Sequence, residues 1–179
     1  MTQPPGTGSL VEQLADLRRQ VAELSRKAPA MPACRVALSA NVGLPSGDSF
    51  APGVWKALED PFGWFTAATP SYITVGLDGY YQLTYHSNTT GLAAGAVAAS
   101  KILRNGAAIA SSIATDLRVV PSGTGTEGTV QNCFRARIQL SAGDKIYWNN
   151  YTSASGGTLA AMGVAVIPTE MTAQFLSSR

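Results

Sequence analysis

The chain carries one histidine and two cysteines, and these bound the covalent chemistry it can do. His86 lies in "YYQLTYHS". A hydroxyl-nucleophile triad would have to use it as base, yet no Gly-x-Ser-x-Gly elbow accompanies it. There is no His-Glu-x-x-His, and no carboxylates cluster at metal-ligand spacing. His86 therefore reads as a polar residue on a strand surface. Cys34 and Cys133 lie far apart with no Cys-x-x-Cys partner, which argues against zinc. A disulfide and two buried free thiols both stand as readings, and synthesis in a cytoplasm favours the thiols. "GTGTEGT" lacks the Gly-Lys-Ser/Thr of a phosphate loop and opens no helix. Glu59 and Asp60 precede Pro61 in a turn, and neighbouring carboxylates on an extended chain point apart, unlike a glycosidase pair. Asp144 follows Gly143 in a turn, where its role is to hydrogen-bond the loop backbone. Asn88-Thr89-Thr90 and Asn150-Tyr151-Thr152 match the glycosylation sequon and read as chance in a chain without a secretory signal. Trp55, Trp64, Tyr147 and Tyr151 are the candidate ligand contacts. Aromatics on loop tips stack on sugars or fill a partner's pocket, and core or turn packing is their competing role. The inventory calls for no cofactor and no metal, and it reads as non-enzymatic.

The elements that must position these residues come in two kinds. Residues 1–8, rich in Pro, Gly and Thr, read as an extended arm. Ser9 and Glu12 make a capping box, and Leu10, Leu14, Leu17, Val21 and Leu24 follow at alternating spacings of four and three. That pattern predicts a helix over 9–28, stopped by Ala28-Pro29. Its apolar stripe is narrower than a helix lying on a globular core needs. It suits a coiled coil used for oligomerisation or anchoring, although so short a helix is marginal alone. Docking on its own domain or on a partner is the alternative. Residues 29–33 read as a Pro/Ala linker.

From Cys34 to residue 168 the period changes to two, predicting an antiparallel β domain; residues 169–179 read as a C-terminal tail. "YITV" and "YYQLTYHS" flank the turn dipeptide Asp78-Gly79, with Tyr81, Leu83 and Tyr85 on one face and Tyr80, Gln82, Thr84 and His86 on the other. Asn105-Gly106 predicts a two-residue hairpin pairing Ile102 with Ile109. "CFRARIQL" alternates with Phe134, Ala136, Ile138 and Leu140 inward. A three-residue loop Ala142-Gly143-Asp144 would pair Leu140 with Ile146 and Ile138 with Trp148. "TLAAMGVAVIP" is apolar on both faces, so one face must find a second cover. Its small residues Ala161, Gly163 and Ala165 are candidates for a close subunit interface.

Composition narrows the function classes. Of 179 residues, 45% are hydrophobic and only 13% charged, with mean hydropathy +0.07. This is a globular chain with a low-charge exterior suited to burial in an assembly. A net charge of +2 gives no basis for nucleic-acid binding. No stretch is long and apolar enough for membrane insertion. "MTQPPGTGS" lacks a basic region followed by an apolar run, so the chain is expected to be made in a cytoplasm.

Taken in order, "GWFTAATPSYITVGLDGYYQLTYHS", "KILRNG", "FRARIQLSAGDKIYW" and "GVAVIP" resemble the motifs of the complement globular-head and tumour-necrosis-factor-like jelly roll, over roughly residues 34–168. The resemblance implies a two-sheet sandwich assembling as a homotrimer. The calcium loops of some relatives are not recognisable. With its N-terminal "LADLRRQVAELSRK", the whole also looks like small minor tail proteins of actinobacteriophages. That implies a structural protein of the virion, synthesised in the host cytoplasm and touching other tail or capsid proteins. Capsid decoration or a head fibre is the nearest alternative, and a receptor-binding adhesin for host surface glycan the next.

Overall fold

A computed structural model of the chain describes residues 10–27, 31–50, 53–69, 71–106, 112–120, 128–161 and 169–178, with helix side chains described only over 12–20. The chain divides into two units, Met1–Ala30 and Met31–Arg179.

The first unit contains helix α1 (Leu10–Lys27), within the predicted 9–28. Leu14 and Leu17, three residues apart and so on one face, are both exposed. The side chains of Leu10, Val21 and Leu24, and the proposed cap Ser9, lie outside the described residues. Asp16 pairs with Arg19 and accepts from Gln20 along the polar side.

The second unit is an antiparallel sandwich. Its strands are β1 (Ala33–Leu38), β2 (Val42–Leu44), β3 (Gly47–Phe50), β4 (Trp55–Glu59), β5 (Tyr72–Thr74), β6 (Gly79–Thr90), β7 (Val97–Arg104), β8 (Ser112–Val119), β9 (Thr129–Leu140), β10 (Lys145–Thr152), β11 (Gly157–Leu159) and β12 (Glu170–Ser177). One sheet runs β2-β11-β6-β12-β1-β4, with β9 also on β6; the other runs β3-β10-β7-β8, with β5 also on β10. We refer to these as the first and second sheets.

Period-two alternation decides which side chains meet between the sheets. Tyr81, Leu83 and Tyr85 are fully buried, as their spacing predicts, while Tyr80, Gln82, Thr84 and His86 stay partly exposed on the outer face. They meet Ile73, Ile102, Ile146 and Trp148 of the second sheet. Each such side chain contributes about 1.5–3 kcal/mol by leaving water. A polar seam crosses the same interior: Ser87 bonds Ser100 and Gln131, and Asn150 donates to the Tyr85 hydroxyl. These partners offset the cost of burying the polar groups.

Five expectations are corrected. Segment 169–179 is no tail: β12 inserts between β1 and β6, with Met171 and Ala173 fully buried. Asp78-Gly79 does not close a hairpin, because β5 and β6 belong to different sheets. Asn105-Gly106 is no two-residue hairpin either. Ile102 faces Ala114 and Leu103 faces Ser112, so the connection is longer; the proposed partner Ile109 lies outside the described residues. Asn105 adopts a left-handed φ of 55° but turns toward Lys145, exchanging backbone and side-chain bonds with it. Ala142-Gly143-Asp144 joins β9 of the first sheet to β10 of the second. Leu140 therefore faces Gly79, and Trp148 faces Ile102.

The fifth correction concerns β9. Tyr81 pairs with Ile138, but Leu83 pairs with Arg135, so β9 carries one extra residue there. Such a bulge reverses which side chains face inward. Ile138 and Leu140 point inward as predicted, but beyond the bulge Gln131 and Cys133 take the inner positions. Phe134 and Ala136 are exposed.

Candidate interaction surfaces

The residues singled out for covalent chemistry are built into the scaffold. Cys34 and Cys133 are free and buried. Burial, then the nearby Asp60 carboxylate, pushes the Cys34 thiol well above its ordinary pKa, and burial pushes Cys133 up to about 11. Both are held as neutral thiols, poor nucleophiles. His86 sits on the outer face of the first sheet, cross-strand from Glu170 and Asn132. Among the described residues no three His, Cys, Asp or Glu side chains are grouped to hold a metal.

The acidic turn residues fasten loops. Asp60 accepts the Trp64 and Phe65 N–H groups at 2.8 and 2.9 Å, which closes the turn that swings Trp64 into the core. Asp144 accepts the Ser141 N–H and the Asn105 amide and pairs with Arg104 at 2.7 Å. Burial alone would raise its pKa; those three partners win and hold it below the ordinary aspartate value. The sequon asparagines Asn88 and Asn150 are buried, which removes them as glycan acceptors in the folded chain.

The four candidate aromatics separate. Trp55 and Trp64 are only 2% and 5% exposed. Trp55 packs on Trp148 with centroids 4.8 Å apart, and Trp64 on Tyr81 at 5.7 Å. They are core residues and not ligand contacts. Tyr147 and Tyr151 stand on the outer face of the second sheet with Asn149 between them, all three on alternate positions of β10. Tyr147 packs on Tyr72 at 5.1 Å, and the Lys101 ammonium lies 5.4 Å from the Tyr151 ring. Of the small residues proposed for a subunit interface, Ala161 is fully buried in its own core and gives its N–H to Asn41. Gly163 and Ala165 lie outside the described residues.

The surface that the sequence did not reveal lies along the sandwich edge formed by β8 and β9. These strands end the two sheets on the same side, and the Asp116 carboxylate ties them by accepting the Asn132 N–H at 2.8 Å. Leu117 and Val119 on β8 are 59% and 60% exposed, and Phe134 and Val130 on β9 are 50% and 37% exposed. Phe134 was hidden by the bulge, because strict alternation assigns it to the core. Leu117 and Val119 stand on the outer face of the second sheet and Val130 and Phe134 on that of the first, so exposed apolar side chains flank this edge on both faces, a feature suited to burial against protein.

The comparisons fit the architecture. No family model matches the sequence, and no curated protein matches it. Solved structures do. Murine APRIL at pH 5.0 is 14% identical over 82% of this chain and 100% of its own, with TM-score 0.57. Eiger TNF from S. frugiperda is 16% identical over 83% of this chain and 94% of its own, with TM-score 0.54. The globular domain of zebrafish complement 1qA is 12% identical over 83% and 99%, with TM-score 0.53. The fold is thus that of the tumour-necrosis-factor and complement-1q jelly rolls.

Proposed function

We propose that the chain is a non-enzymatic structural protein that self-associates as a homotrimer through the β8/β9 edge. The observation that carries this reading is the exposure of Leu117 and Val119 on β8 and of Val130 and Phe134 on β9, flanking one edge of a jelly roll of this kind. Burying such residues against second and third copies removes apolar area from water at roughly 25 cal/mol per Å². Helix α1 supports the same reading. Leu14 and Leu17 present an apolar stripe that is marginal in isolation, and tethering three helices to one knob raises their effective concentration.

Its setting is a bacteriophage virion, where the chain acts as a minor tail protein anchored by its N-terminal segment with the β domain outward. A capsid-decoration role shares every one of these features. The adhesin reading is narrowed to Tyr147 and Tyr151, since the tryptophans are spent on the core. Light scattering on purified protein should give three times the chain mass; a single-chain mass at micromolar concentration refutes the assembly. Deleting residues 1–30 should leave the β domain folded and abolish retention on purified particles. Full retention of the truncated chain refutes the anchoring role.

A further inference from the structure

The outer face of the second sheet holds an arrangement that simple packing does not explain. Asn149 is fully buried there, and neither its Nδ2 nor its Oδ1 has a hydrogen-bond partner. Leaving a buried amide unpaired costs about 1–3 kcal/mol, so a retained one calls for a reason. Its cross-strand neighbours are Lys101 on β7 and Phe50 on β3. The Lys101 ammonium bonds the Asp48 carboxylate at 2.7 Å, with side chains only 12% and 24% exposed. Asp48 is on β3, across β10 from Lys101. To reach it, the lysine side chain must cross the face of β10 beside Asn149, and its Nζ ends 5.4 Å from the ring of Tyr151, two residues on. An amine, a carboxylate and an unpartnered carboxamide thereby occupy neighbouring positions on one sheet face, beside the Tyr151 ring.

We propose that Lys101 and Asn149 join in an intramolecular amide crosslink, with Asp48 as the proton carrier. Asp48 takes a proton from the ammonium, and the neutral Nζ attacks Cγ of Asn149. The Nζ–Cγ bond forms and the Cγ–Nδ2 bond breaks. Of the three ammonium protons, one stays on the new amide nitrogen. One passes by way of Asp48 to the departing Nδ2, which leaves as ammonia. The third remains on Asp48 until solvent takes it. No oxidant or reductant is needed. The product loses the orphaned Nδ2 and ties β7 to β10 covalently, a reinforcement suited to a particle component.

The test is the intact mass of the purified full-length chain, followed by peptide mapping. Wild type should be about 17 Da lighter than its sequence requires, the mass of one ammonia, with Lys101 and Asn149 in one branched peptide. Lys101→Arg keeps the ion pair and should restore the full mass; Asn149→Ala and Asp48→Ala should do the same. Succinimide formation at Asn105-Gly106 would also lose ammonia but would persist in Lys101→Arg, and a persistent deficit overturns the proposal. So does the full sequence mass in wild type held folded for days.

Discussion

Arg104 and Asp144 stand 2.7 Å apart where the chain leaves the first sheet for the second. Asp144 is the last residue of that passage, and Arg104 ends β7, the strand beside it. The pair, the Ser141 cap and the Asn105 amide together hold the crossover that sequence alternation alone would have folded into a hairpin.

Asp144→Asn should therefore destabilise the domain by about 1–3 kcal/mol at neutral pH, since it removes the carboxylate that the Arg104 guanidinium pairs with. The carboxyl pKa is lowered by folding. Its contribution is full above the ordinary aspartate pKa and is lost as pH falls through the depressed folded value. Urea midpoints of wild type and variant should differ at pH 7 and converge in acid, below about pH 4. A constant difference across that range contradicts the assignment.

Trp64→Ala should cost about 3–5 kcal/mol, because it opens a cavity against Tyr81 at the sandwich interior. Thermal or urea denaturation measures it. A change of under about 1 kcal/mol would mean the ring is not part of the core.

The two thiols should ignore an aromatic disulfide reagent in the native state and react fully after denaturation. With Cys133 pushed to about 11 and Cys34 higher still, reaction near neutral pH should be roughly hundredfold or more slower than at an ordinary thiol. Fast reaction of either in the folded protein counts against its burial.

Leu117→Glu combined with Phe134→Glu should reduce the mass in light scattering to a single chain. Both side chains already face solvent in the isolated chain, so the β-rich circular dichroism should not change. A variant that remains a trimer removes the β8/β9 edge from the interface.

Much of this molecule was legible in local pattern. The four-three spacing of Leu10 to Leu24 specified a helix, because only a 3.6-residue period brings those positions together. Tyr81, Leu83 and Tyr85 declared their inward face, because successive strand residues alternate sides. The turn role of Asp144 followed from its place after Gly143. Tertiary structure decided the rest, since each remaining question depended on partners distant in sequence. Whether β10 follows β9 in one sheet or crosses to the other depends on competition from β6, β7 and the Arg104 pair. Phe134 faces outward because one extra residue in β9, measured only against β6, reverses the alternation. β12 is a strand because β1 and β6 leave a gap that Met171 and Ala173 fill. Lys101, Asp48 and Asn149 share a site because three strands from separate parts of the chain lie side by side. Periodicity along one chain reports which way a residue faces, but not what it will face.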